Sequence, residues 1–180
     1  MRYFLKGFTL IEAMIVLLVA AILLAVAIPA WSNAASAAHN GATRSVLAAT
    51  VLDAVRHSAL TGVEVVLCPD TGATQCSGKV DWSGGWIVFA DVNGNRMRDA
   101  AETVVKQAPK LEGGVRLRST VGRTRLVFQP NGGNAGSNVT FTLCDGRGVA
   151  KASTLVLAND GRLRQGTPTE AAAQACVYGG

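Results

Sequence analysis

From Phe8 to Ile28 the chain runs with a single ionisable side chain, Glu12, behind a short leader, residues 1–7, that carries Arg2 and Lys6. About 20 apolar residues suffice for a helix to cross a bilayer, so this run constrains everything that follows it. A carboxylate inside such a helix costs about 2.5–3.5 kcal/mol on insertion scales, which marks Glu12 as a residue kept for a specific partner. An ordinary secretory signal would end in a small-residue cleavage site, for which Ala27-Ile28-Pro29 and the alanine-rich stretch 34–38 are weak candidates. Neither that reading nor a plain anchor explains Glu12 five residues into the run, or the Lys6-Gly7-Phe8 junction.

The segment Gly7-Phe8-Thr9-Leu10-Ile11-Glu12 resembles the class III signal of type IV prepilins and pseudopilins. The resemblance implies that a prepilin peptidase cuts after Gly7 and that Phe8 becomes an N-methylated terminus. It further implies that the apolar helix is retained as the assembly element, with Glu12 pairing with the terminal amine of a neighbouring subunit. Such a pair would neutralise a carboxylate held among apolar helices.

The 180 residues leave room, beyond one anchor, for a single globular domain. Trp82, Trp86, Phe89, Phe128 and Phe141 supply its largest apolar side chains. All four cysteines, Cys68, Cys76, Cys144 and Cys176, lie beyond the anchor, and an even count there points to two disulfides in an oxidising compartment. The spacing of Cys68 and Cys76 is too long for a zinc knuckle. We favour Cys68–Cys76 closing a loop and Cys144–Cys176 tying down the tail, among the three pairings that four cysteines allow.

Between Phe8 and about Leu60 only Pro29 interrupts helical character, and it is expected to kink or loosen the helix. Beyond it Leu47, Val51 and Val55 recur at four-residue spacing, a stripe fit to face a sheet. Thr61-Gly62 ends the helix. Seven short β-rich runs follow at 63–67, 85–90, 103–105, 115–117, 126–128, 139–143 and 155–157, each bounded by Gly, Asn, Asp or Pro. The fold class is therefore α+β, a long N-terminal helix packed on antiparallel β-sheets. The divisions are a leader (1–7), a transmembrane and assembly helix (8–29), its amphipathic second half (30–62) and a β-rich globular region with a small-residue tail (63–180).

Three further segments narrow the resemblance: Val66-Leu67-Cys68-Pro69, Trp82 through Phe89, and Leu126 through Gly132. With the signal motif they are similar to the GspH/FimT/FimU family of minor pilins and minor pseudopilins. That family implies a pilin fold, other major and minor pilins as fibre partners, and an inner-membrane precursor whose C-terminal domain is periplasmic and becomes extracellular in the pilus.

Charge separates the branches of that family. Residues 53–114 hold six basic against eight acidic side chains, a balance of −2. Residues 115–166 hold eight basic ones (Arg116, Arg118, Arg123, Arg125, Arg147, Lys151, Arg162, Arg164) against Asp145 and Asp160, a balance of +6. The asymmetry points to a polyanionic partner. With Ser119–Gly122 read as a hairpin loop, Arg118 would face Arg123 and Arg116 would face Arg125, a like-charge layout that destabilises a sheet unless something else engages it. Exposed arginines are also ordinary surface chemistry. Within Asp160-Gly161-Arg162-Leu163-Arg164, an extended backbone projects Arg162 and Arg164 from one face about 6.5–7 Å apart. Two such guanidinium forks suit successive phosphates of one strand. Gly161-Arg162-x-Arg164 resembles the DNA-binding motif of FimT-type minor pilins from naturally transformable bacteria, which implies double-stranded DNA as a partner.

Asp91, Asn93, Asn95, Asp99 and Glu102 match the ligand spacing of a calcium loop, but Arg96 stands where the loop requires glycine, and a polar turn is the favoured reading. The two histidines, His39 and His57, both fall in the long helix, and no nucleophile–base–carboxylate set can be assembled. The expectation is a non-enzymatic minor pilin with no cofactor and no metal, binding extracellular double-stranded DNA for uptake in natural transformation. The alternatives are a structural priming or tip pilin that binds no DNA, and a type II secretion minor pseudopilin.

Overall fold

The computed structural model of the chain describes residues 8–179; the leader, with Gly7, lies outside the described residues. The chain forms two compact units, one ending at Ala35 and one starting at Ser36. Helix α1 (Leu10–Thr61) contributes to both and continues through Pro29 without a break in its helical assignment. In the first unit it is long and apolar enough to cross a membrane, and none of its apolar stretch is buried.

In the second unit two four-stranded antiparallel sheets carry the fold. The first contains β1 (Glu64–Pro69), β2 (Trp86–Asp91), β3 (Val104–Ala108) and β5 (Leu126–Phe128), in the order β3-β2-β1-β5. The second contains β4 (Arg116–Ser119), β6 (Val139–Cys144), β7 (Ser153–Leu157) and β8 (Leu163–Gly166), in the order β4-β6-β7-β8. The α+β class and the antiparallel pairing agree with the sequence reading. Strand β8 and the C-terminal helix α2 (Glu170–Tyr178) were not in it. Signals for α2 were present: Thr169 caps it, accepting from the Ala172 N–H at 3.3 Å, and a run of alanines follows.

The α1 face that packs on the sheets is Asn40, Thr43, Leu47, Thr50, Val51, Ala54 and Ser58. Leu47 and Val51 enter the core and Val55 packs at its edge. Polar members of the stripe are bonded within the fold: the Thr50 hydroxyl donates to the Val46 carbonyl (2.8 Å) and accepts from Trp86 Nε1 (3.3 Å), and Ser58 Oγ donates to the Val63 carbonyl at 2.7 Å. Buried hydroxyls are tolerated where they find such partners.

The main core joins α1 to both sheets through Leu47, Val65, Trp86, Leu117, Phe128, Phe141 and Leu157. Trp82 and Phe141 meet edge to face at 5.1 Å, and the indole N–H of Trp82 donates to Ser119 Oγ at 3.0 Å. Alternate residues of the first sheet, Val66, Cys68, Ile87, Phe89 and Val127, form a second cluster on its other face, with Cys76 packed against it. Strands buried on both faces read as unbroken apolar runs, which is why β1 and β2 stand out in the sequence. The loop over that face is closed by the Cys68–Cys76 disulfide, and Cys144–Cys176 joins β6 to α2.

The arginine hairpin expected around Ser119–Gly122 is not formed. Strand β4 pairs with β6, placing Arg116 opposite Cys144 and Arg118 opposite Thr142, while β5 joins the other sheet beside β1. Arg118 therefore does not face Arg123, nor Arg116 Arg125. The pattern of β-rich runs cannot tell a hairpin from a strand exchange between two sheets; core complementarity decides that.

Candidate functional site

The arginines of β4 and its loop are engaged by the protein itself. Arg116 Nη1 donates to the Val177 carbonyl at 2.7 Å and Arg118 Nη1 to that of Gly179. Both groups sit at the C-terminal end of α2, where unpaired carbonyls and the helix dipole favour cations. These carbonyls give both β4 guanidiniums an acceptor within the protein. Arg123 donates to the backbone and side chain of Ser137, and Arg125 to the Arg96 carbonyl.

Arg147 is held more firmly. Its Nε and Nη2 donate to the two carboxylate oxygens of Asp145 at 2.8 and 2.7 Å, and Asp145 also accepts from Asn40 Nδ2 at 2.9 Å. The Asp145 side chain is fully buried and that of Arg147 is 18 % exposed. The Arg147 side chain, followed by its backbone N–H and Asn40, holds the Asp145 carboxyl below its ordinary range despite the opposing effect of burial.

The turn between β7 and β8 contrasts with this. The Ala158 N–H donates to the Arg162 carbonyl (2.9 Å) and the Gly161 N–H to the Ala158 carbonyl (3.0 Å), closing a tight connection. Gly161 adopts φ +78°, and a side chain there would come within 3.3 Å of the Gly132 carbonyl, so glycine suits the position on two counts. The loop that follows β5 steadies the turn from outside. Asn138 Oδ1 accepts from the Asn159 N–H at 3.0 Å, and the Asn134 N–H donates to the Asn159 carbonyl at 3.1 Å.

On this frame Leu163 packs against the core, while Arg162 and Arg164 are exposed. Strand β8 pairs only with β7, Arg164 standing opposite Val156, so it forms an edge of the second sheet. Arg162 Nε donates to Asp160 Oδ2 at 2.7 Å, and Nη2 lies 2.6 Å from the same oxygen in an ion pair. The Arg162 guanidinium holds the Asp160 carboxyl below its usual value. The side chains of Arg164 and the exposed Lys151 have no hydrogen-bond acceptor or ion-pair partner among the described residues.

The loop with calcium-like spacing is closed on itself. Asp91 accepts from the backbone N–H groups of Asn95 and Arg96, Glu102 from those of Val92 and Asp99, and Asp99 from the side chains of Asn93 and Asn95. Arg96, at the position where a calcium loop needs glycine, adopts φ +59°. At the start of α1, Thr9 and Glu12 form a reciprocal cap: the Glu12 N–H lies 3.3 Å from Thr9 Oγ1 and the Thr9 N–H 3.5 Å from Glu12 Oε2.

A model of the family described as Type II transport protein GspH matches residues 47–161, and one of the prokaryotic N-terminal methylation motif matches residues 6–28. The chain belongs to the GspH family. It is thus a minor pilin or pseudopilin, with a prepilin-type N-terminus and a place among other pilins in a fibre. The type IV minor pilin FimU of Pseudomonas aeruginosa shares the fold, with TM-score 0.53 and 13 % identity over 71 % of this chain and 90 % of that one. So does the minor pseudopilin EpsH of the Vibrio cholerae type 2 secretion system, with TM-score 0.52 and 12 % identity over 72 % of this chain and 98 % of that one. No curated protein sequence matches the chain. Sequence reasoning did not anticipate that Asp160, Asn134 and Asn138 shape the minor pilin's basic turn. The Asp-Gly-Arg order was the one available signal for the first of them.

Proposed function

We propose that this minor pilin binds extracellular double-stranded DNA through Arg162 and Arg164, largely without sequence preference, for uptake in natural transformation. One observation carries the reading. Of the eight basic residues between 115 and 166, six donate to acceptors within the protein, Arg162 only to the half-exposed Asp160. Arg162 and Arg164 stand exposed next to each other on a braced turn. Phosphate contacts from such forks position a duplex without reading its bases. Gly161 belongs to the site by permitting the turn, and Lys151 is a further open cation; Arg116, Arg118, Arg123, Arg125 and Arg147 would contribute only through the general field.

The precursor would sit in the bacterial inner membrane with its C-terminal domain in the periplasm. Prepilin peptidase would release the leader after Gly7, and the mature chain would enter the pilus with Glu12 facing the amine of a neighbour's methylated Phe8.

The test is duplex binding by the full chain in detergent, followed by fluorescence anisotropy across a salt series. A few phosphate contacts imply micromolar affinity that falls with salt at a slope of about −0.9 per phosphate. Arg162→Ala with Arg164→Ala should nearly abolish binding and transformation while pilus assembly continues. A double variant that binds like the parent at equal salt would leave the structural-subunit reading in place.

A further inference from the structure

Asp-Gly-Arg occurs twice, at Asp145-Gly146-Arg147 after β6 and at Asp160-Gly161-Arg162 between β7 and β8. The local bonding is similar, although Arg147 meets both oxygens of Asp145 and Arg162 only Oδ2 of Asp160. The aspartate accepts from the backbone N–H of the arginine two residues on, at 3.0 Å in the first and 3.2 Å in the second, and then from its guanidinium. The surroundings differ. Asp145 has a third donor in Asn40 and is fully buried, so its arginine is fixed. Asp160 has no such donor among the described residues; its side chain is 50 % exposed and that of Arg162 is 79 % exposed.

A guanidinium has five N–H donors, and its Nε–Nη2 side is one of the faces that grips an oxyanion with two parallel bonds. In Arg162 that side is taken by Asp160 Oδ2. We propose that Asp160 is an internal competitor with DNA for Arg162: its carboxylate occupies the place of a phosphate, so that Arg164 makes the first backbone contact and Arg162 joins only as Asp160 is displaced. The proposal rests on the DNA-binding reading above and assigns unequal roles to the two arginines within it. An exposed pair of this kind is weak, so the carboxylate tunes the interaction and does not block it.

The charge of Asp160 can be removed without its turn-forming role, because an asparagine side-chain oxygen accepts the same backbone N–H. Full-length protein in detergent, titrated with a fluorescent duplex at about 0.1 M salt, is compared for the parent, Asp160→Asn, Arg162→Ala, Arg164→Ala and the Asp160→Asn/Arg162→Ala double variant. Asp160→Ser, which keeps a turn-forming hydroxyl, is a second route to the same loss of charge. Asp160→Asn should bind about two- to fivefold tighter, by the usual worth of an exposed pair. Its salt slope should steepen by up to about 0.9, as one more phosphate is engaged. Arg162→Ala should weaken binding more in the Asp160→Asn background than in the parent, and Arg164→Ala should be the most damaging single change in the parent. Binding by the parent with no gain in either Asp160 variant, or an equal Arg162→Ala penalty in both backgrounds, overturns the proposal alone. Absence of salt-dependent binding by the parent overturns the DNA reading and this proposal together.

Discussion

The two disulfides should differ in what they contribute to stability, and the difference can be worked out from the chain they enclose. Cys144–Cys176 spans 32 residues of sequence and Cys68–Cys76 spans 8. If a cross-link acts mainly by restricting the unfolded chain, its entropy contribution is about −2.1 − 1.5R ln n cal/mol/K, giving roughly 3.7 kcal/mol for the longer loop and roughly 2.5 kcal/mol for the shorter at 25 °C. Replacing Cys144 and Cys176 together by Ala should therefore cost about 1.2 kcal/mol more than replacing Cys68 and Cys76, close to an eightfold difference in the folding equilibrium. The longer bridge should not cost much beyond this, because α2 keeps Ala173 buried and retains its bond to Arg116. Cys144 and Cys176 are both buried, whereas Cys76 is partly exposed, so lost packing acts in the same direction as loop length. The assay is equilibrium urea unfolding of the full chain in detergent, read from the fluorescence of Trp82 and Trp86, both fully buried, over a steady background from the exposed Trp31. Equal losses, or a larger loss for the Cys68/Cys76 pair, would refute the loop-entropy reasoning and place the stabilisation in native packing around the short loop.

Two further outcomes follow from charged groups elsewhere. Asp145 is depressed in the folded state relative to about 3.9 when unfolded, so its contribution is fully present above that value and is lost as pH falls through the folded value. Stability measured from pH 7 to 3 should drop below about pH 4 in the parent. Asp145→Asn should lose about 3 kcal/mol at pH 7 and show a flatter acid limb, and an unchanged acid limb would remove Asp145 from the account. Mass spectrometry of fibre-incorporated protein should find a chain beginning at methylated Phe8, and Glu12→Ala should fold normally yet enter fibres poorly; cleavage near Ala30 or Ala35 would contradict the assembly role.

The local signals were legible in the sequence. The apolar run with Glu12, the glycine stop after Thr61 and the β-rich runs are properties of neighbouring residues, and they suffice for a helix, a set of antiparallel strands and a pilin-type N-terminus. Pairing was not legible, because β4 and β5 are adjacent in the chain yet belong to different sheets. In the folded domain β4 pairs with β6 and β5 with β1, and Leu117 and Phe128 meet from the two sheets in one core shared with α1. The charge of residues 115–166 was likewise countable from the sequence, but its availability was not. Which arginines meet solvent depends on the carbonyls at the end of α2, on Ser137, and on the burial of Asp145, all contributed by distant segments. Composition thus fixed how much positive charge the domain carries, while tertiary packing turned Arg116, Arg118, Arg123, Arg125 and Arg147 to acceptors within the fold and left Arg162, paired only with the half-exposed Asp160, and Arg164 exposed beside the β7–β8 turn, because a charge is open to a ligand only where its nearest acceptor is absent or weakly held.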